Sequence, residues 1–233
     1  MITMSKISKS FDDNMVLDGL CLHADRGEIF GLLGPSGAGK STIINILTGT
    51  VDPCGGDHSV EASPDEIGLM LEEDGLSAQL TCLENLKIFG MIYQISDDRI
   101  KETLESVGLG EAMKKPVKDL SKGMRQRLAL ARAIMHKPRV IFLDEPTANL
   151  DPNNAREIHR LMKELRDAGS TIFLTSHNME EVVKLCDRVA MLHNGQIIEG
   201  GEPIEICKRH DAVKTAYDLE EVFVKLTGEK CHA

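Results

Sequence analysis

At 233 residues the chain is long enough for one compact domain with room for a subdomain, and its 42% hydrophobic content is that of a globular protein. A formal net charge of -10 and an aromatic content of 3%, with no Trp, argue against a nucleic-acid partner, which needs basic surface and, for single strands, stacking rings. The start, Met1-Ile2-Thr3-Met4-Ser5-Lys6, lacks the apolar core of a signal peptide, and no apolar run approaches the ~18–20 residues that span a bilayer. Work at a membrane would therefore need a separate partner. The six cysteines, Cys21, Cys54, Cys82, Cys186, Cys207 and Cys231, form no Cys-x-x-Cys pair and no zinc-ligand spacing, so reduced cytosolic thiols are expected.

Residues 1–33 read as β-rich. Leu20, Leu22 and Ala24 alternate with Cys21 and His23, the period of a half-buried strand. Arg26-Gly27 turns the chain into the apolar run Ile29-Phe30-Gly31-Leu32-Leu33. Gly34, Pro35, Ser36, Gly37, Ala38, Gly39, Lys40, Ser41 and Thr42 come next, followed by Ile43-Ile44-Asn45-Ile46-Leu47. Strand, glycine-rich loop and helix in this order meet the pattern G-x-x-x-x-G-K-[ST] at every fixed position. Glycines let successive N–H groups curl inward toward phosphate oxygens, and the helix N-terminus behind them adds a favourable dipole. Lys40 is expected to reach the β- and γ-phosphates of a nucleotide, and the Ser41 hydroxyl to ligate Mg²⁺. The helix should fade near Gly49, with a turn-rich stretch through Pro53, Gly55-Gly56 and Pro64 after it.

Ile67 to Leu71 reads as a short buried strand, and from about Glu72 to Lys137 the character becomes helical. Thr81-Cys82-Leu83-Glu84 is a capping box, with Leu83, Leu86 and Phe89 expected on one face. Ser96 caps a second predicted helix with Ile100, Leu104 and Val107 inward and Gly108 as its stop. A third helix is expected from Ser121 to Lys137, before Pro138.

Val140-Ile141-Phe142-Leu143 is a buried run ending in Asp144-Glu145. Asp151-Pro152 supplies an N-cap and first-turn proline to a helix with Ile158, Leu161, Met162 and Leu165 inward. Thr171 to Thr175 is a further strand, ending near His177, and 178–187 a helix. His193-Asn194-Gly195 is a hairpin turn between two strands, and the tail after Pro203 is helical and amphipathic. Strands alternating with helices around a phosphate loop imply an α/β fold with a mostly parallel sheet.

A carboxylate at the end of a buried strand, as at Asp144, can hold Mg²⁺ beside bound phosphates. The next carboxylate, Glu145, can act as general base on the attacking water. Upstream stands Leu120-Ser121-Lys122-Gly123-Met124-Arg125-Gln126-Arg127. In it Ser121 and Gly123 sit at a helix start, where a hydroxyl and bare N–H groups can bind phosphate; a plain cap is the other reading of Ser121.

Residues 34–42, 120–127, 140–151 and 177, in this order, resemble the nucleotide-binding subunit of an ABC transporter over nearly the whole chain. The segment 120–127 resembles the family signature L-S-G-G-Q-x-Q-R, with Lys122 in place of a Gly and Met124 in place of a Gln. The resemblance implies a phosphate-loop core (1–72 and 138–204) with an antiparallel β subdomain, a helical signature subdomain (73–137) and a helical tail (205–233). It implies two ATP molecules between two subunits, each held by one phosphate loop and the opposite Ser121 and Gly123. Glu145 becomes the base, His177 the residue that contacts the γ-phosphate, and Asp151 the acidic residue of the loop that couples the sites. Phe11 falls where the family sets a ring against adenine, with a core Phe as the other reading. Glu72 stands where the family usually has Gln, leaving Ser41, Glu72 and Asp144 as the Mg²⁺ ligands. That substitution, and the tail 219–228, resemble exporters of drugs and antibiotic peptides.

The implied partners are an integral membrane permease and a second ATP-binding subunit, with no nucleic acid, and the implied place is cytoplasmic, peripheral on the inner face of the membrane. The alternative is a soluble ABC ATPase acting on a macromolecular complex, which often carries coiled-coil arms or a second cassette; the sequence shows neither pattern. A phosphate-loop GTPase or kinase is disfavoured, because no Asn-Lys-x-Asp motif is present.

Overall fold

The computed structural model describes residues 1–71, 75–148, 150–212 and 218–228, so Glu72 and Cys231 lie outside the described residues. Strands β1 (Ile2–Phe11), β2 (Asn14–Ala24) and β3 (Ile29–Leu33) open the chain, and β3 leads into α1 (Lys40–Leu47). Strands β4 (Gly55–Val60) and β5 (Ile67–Met70) come next. Three helices follow, α2 (Cys82–Tyr93), α3 (Asp97–Ser106) and α4 (Lys122–Ile134). Then come β6 (Val140–Asp144), α5 (Pro152–Asp167), β7 (Thr171–Ser176) and α6 (Met179–Leu185). The hairpin β8 (Arg188–His193) and β9 (Gln196–Gly201) precedes the last helices, α7 (Pro203–Arg209) and α8 (Leu219–Thr227). The expected α/β class is the one observed.

The chain divides into two compact units, 1–61 with 171–233, and 62–170. In the first, β7, β3 and β8 run parallel, with β3 in the middle, and β9 closes antiparallel onto β8. Every residue of β3 and β7 is buried, which is why β3 and the centre of β7, Ile172-Phe173-Leu174, are continuous apolar runs rather than alternating ones. A second, antiparallel sheet has the order β2-β1-β4. Its strand β4 lies inside the stretch that reads as turn-rich, because Gly-Gly-Asp-His-Ser-Val carries no apolar alternation and buries none of its residues. The Asn194-Gly195 turn of the β8–β9 hairpin has φ values of 46° and 75°, both in the left-handed region that a type I′ turn requires. A Cβ on Gly195 would lie 2.5 Å from the Val16 carbonyl oxygen, so close packing on β2 adds a second demand for glycine.

The second unit holds the parallel pair β5–β6 and helices α2 to α5. Thr81 and Glu84 form the full reciprocal capping box at the start of α2, as the sequence pattern predicts. The buried face of α2 differs from the expected one and is made by Cys82, Asn85, Leu86 and Gly90. Asn85 accounts for the rotation. Its side chain, 1% exposed, accepts from the Ser77 N–H and donates to the carbonyls of Ser77, Leu80 and Thr81. Helix α3 behaves as predicted: Ser96 caps it, Ile100, Leu104 and Val107 are buried, and Gly108 ends it at φ +71°. Helix α4 stops at Ile134, one turn before the expected Lys137, which has turned to φ +56°.

No helix among the described residues is long and apolar enough to cross a membrane. Cys21, Cys54, Cys82, Cys186 and Cys207 are free thiols. Burial pushes the Cys186 thiol well above its ordinary value, which keeps it protonated and unreactive.

Candidate functional site

In the first unit the chain leaves β3 at Gly34 against the backbone of β8. A Cβ on Gly34 would meet the Leu192 carbonyl oxygen at 2.5 Å, a contact that no side-chain adjustment relieves. The loop then curls: the Ala38 N–H donates to the Pro35 carbonyl at 3.3 Å, and Gly37 and Gly39 take φ values of +79° and +105°. Both values lie where a residue with a Cβ is strained. Gly39 is the N-cap of α1 and brings no side-chain oxygen to the helix start, whose first turn carries no acidic residue. The first N–H groups of an α-helix have no intrahelical acceptor, so this end offers donors and a positive dipole to an anion.

Lys40 is folded into the same loop. The residue is 7% exposed, and its ammonium donates to the Gly34 carbonyl at 2.7 Å and the Pro35 carbonyl at 3.1 Å. Ser36, Gly37 and Ser41 are exposed at the loop surface, and Thr42 is half-buried. The parallel register pairs Leu33 with Ser176, so His177 leaves β7 at the same sheet level at which Gly34 leaves β3. Ser176 Oγ accepts from the Asn178 N–H at 3.0 Å, and Asn178 caps α6 by accepting from the Glu181 N–H at 3.1 Å. These bonds fix the turn that carries His177. Phe11, at the end of β1, is 46% exposed, with the Lys9 ammonium 4.9 Å from its ring centre. It is a surface ring rather than a core one.

In the second unit every residue of β6 is buried, and Asp144, at its end, is 5% exposed. Glu145 follows at φ +50°, a left-handed conformation that costs about 1–2 kcal/mol for a residue with a Cβ. The turn after it is closed by the Ala148 N–H on the Glu145 carbonyl and the Leu150 N–H on the Thr147 carbonyl, both at 3.1 Å. Asp151 caps α5, accepting from the N–H groups of Asn153 and Asn154 at 3.1 and 3.2 Å and from the Asn154 side-chain amide. The Asn154 amide is the main reason its carboxyl is held below the usual range.

Helix α4 begins at Ser121, whose hydroxyl accepts from the Met124 N–H at 3.3 Å. Gly123 is buried under Asn154: a Cβ there would lie 2.9 Å from the Asn154 side-chain carbon. Gly123, Asn154 and Asp151 are thus brought together, and nothing in the spacing of Asn154 points to it. The half-buried Gln126 donates its side-chain amide to the Pro146 carbonyl at 2.9 Å, with the Glu145 carbonyl at 3.5 Å. The signature segment shows Gln126 by its position but does not show its partner. Glu72 has no place in this geometry, since it lies outside the described residues.

The ABC transporter family model matches residues 17–148. Among relatives, the linearmycin resistance ATP-binding protein LnrL of Bacillus subtilis is 36% identical over 222 residues, covering 90% of this chain and 71% of the relative. The lantibiotic transport ATP-binding protein SrtF of Streptococcus pyogenes is 34% identical, covering 88% of this chain and 94% of the relative. A solved structure of the ATP-binding subunit of an ABC transporter superposes with a TM-score of 0.86 at 27% identity, covering 97% of this chain and 99% of that one. With a phosphate loop of this geometry and a match over more than half its length, the chain belongs to the ABC transporter family, as an ATP-binding subunit of the kind that hydrolyses ATP.

Proposed function

We propose that this chain dimerises around two Mg-ATP and drives a separate membrane permease, one that exports antibiotic-type compounds. The observation that carries the ATP reading is the Gly39-capped start of α1 with Lys40 folded into the loop beside it. When phosphates arrive, the Lys40 ammonium exchanges two loop carbonyls for phosphate oxygens, and the loop N–H groups cradle the rest. On the sequence motifs, Ser41, Asp144 and Glu72 would hold Mg²⁺. A hydroxyl and one or two carboxylates suit this ion. Bound Mg²⁺ would neutralise charge developing on the β- and γ-oxygens.

Glu145 takes the proton of the attacking water, and His177 donates to the γ-phosphate. Phe11 offers its exposed face to adenine. Ser121 and Gly123 bind the γ-phosphate of the nucleotide held by the second copy, and Asp151, at the start of α5, links the two sites. The lean toward antibiotic-type compounds rests on the names of LnrL and SrtF, and the lean toward export on the resemblance at Glu72 and the tail. Bound to its permease, the chain sits at the cytoplasmic face of the membrane.

The test is Glu145→Gln. It is expected to keep ATP binding, to lower turnover by about a hundredfold or more, and to elute as an ATP-dependent dimer on gel filtration. Steady-state hydrolysis at the parent rate would overturn the assignment of the base. Co-purification with an integral membrane protein tests the partner.

A further inference from the structure

We propose that Gln126 is a positioning residue for Glu145, its side-chain amide holding the backbone that aims the carboxylate; this rests on the reading of Glu145 as the base. Glu145 has φ +50° and is followed by Pro146, whose ring restricts the residue before it. A conformation of this kind persists only where its surroundings over-determine it. Two kinds of restraint bear on the carbonyls of this turn. One is local, the Ala148 N–H on the Glu145 carbonyl at 3.1 Å. The other comes from a different element, the Gln126 amide on the Pro146 carbonyl at 2.9 Å, with the Glu145 carbonyl at 3.5 Å on the same nitrogen.

The second restraint has a firm base. Gln126 stands on the second turn of α4, capped by Ser121 and anchored by the fully buried Leu128, Ala129, Leu130 and Ala131. The bond therefore references the Glu145 backbone to a helix that cannot easily shift. Chemically, the position needs an N–H donor on a chain of about glutamine's length.

Gln126→Leu keeps the bulk and removes the donor. Its kcat for ATP is expected to fall about tenfold, since displacements near 1 Å at a reacting group cost up to about a hundredfold. The KM and the dissociation constant for ATP should stay within about twofold, because this bond is not a nucleotide contact. Gln126→Lys supplies an N–H donor again and should recover most of the rate. In a Glu145→Gln background, Gln126→Leu should cause no further loss, because the group it positions is already gone. An unchanged kcat in Gln126→Leu would overturn the proposal. So would an equal further loss in the Glu145→Gln background, or a parallel loss of ATP binding. If Glu145→Gln alone hydrolyses at the parent rate, the base assignment fails, and with it the proposal.

Discussion

Gly123→Ala separates the proposed phosphate-binding role of the signature helix from its part in folding. The new Cβ would lie 2.9 Å from the Asn154 side-chain carbon, closer than real Cβ contacts allow, and at a tight 3.0 and 3.2 Å from its amide nitrogen and oxygen. The obstacle is the end of a side chain, so Asn154 swings aside and gives up its donation to Asp151. That loss is small. Asp151 is exposed, water replaces the donor, and the two main-chain bonds that cap α5 remain. Against it stands the replacement of glycine by alanine inside a helix, which favours folding by up to about 1 kcal/mol. For a chain of this size that is about 2–4 °C in melting temperature.

The midpoint, read by circular dichroism, should therefore stay put or rise by a few degrees. ATP hydrolysis should behave differently. A methyl at this helix start keeps a phosphate from the N–H of residue 123, and loss of one preorganised donor costs about 10²–10³ in rate. Hydrolysis at the parent rate would refute phosphate binding by α4. A fall in melting temperature beyond about 10 °C would mean that the clash with Asn154 outweighs the gain in helix propensity.

Lys40→Met removes the ammonium that bridges the Gly34 and Pro35 carbonyls, so the nucleotide-free protein should lose about 1 kcal/mol. ATP should no longer raise the melting temperature, and a stabilisation by ATP equal to the parent's would show that Lys40 is not a phosphate ligand. Glu28 gives a pH-dependent prediction. Burial holds its carboxyl above the usual range even though it accepts from the Asp25 N–H and the Arg188 guanidinium. The folded protein therefore holds this proton more tightly than the unfolded chain. The stability this confers is complete below the unfolded value and is lost as the pH rises through the folded one. Glu28→Gln should match the parent in acid and exceed it in melting temperature at neutral pH. Arg188 keeps Asp25 as its partner in the variant. A variant less stable than the parent at neutral pH would mean that the ion pair outweighs the burial.

What could be read in advance follows the range of the interactions. The phosphate loop, the Thr81–Glu84 box, the Ser96, Ser121 and Asp151 caps and the Asn194-Gly195 turn all satisfy their bonds within about four residues, so the residue order displays them. Strand β4 pairs with β1 roughly 50 residues away and has no apolar period of its own, so its existence depends on its neighbour's edge. The face of α2 is set by Asn85, a polar residue that hydrophobic periodicity counts as outward. At the candidate site the division is the same. Lys40, Ser41, Asp144 and Glu145 declare themselves through residue type and position in a motif. The backbone torsion of Glu145 does not, because glutamate has no preference for positive φ and the proline after it favours an extended conformation instead. Its conformation is imposed by bonds from elsewhere, and one of them comes from Gln126, 19 residues earlier. A motif thus points to the groups proposed for the chemistry, whereas their backbone conformation is held by contacts between elements that no short pattern can contain.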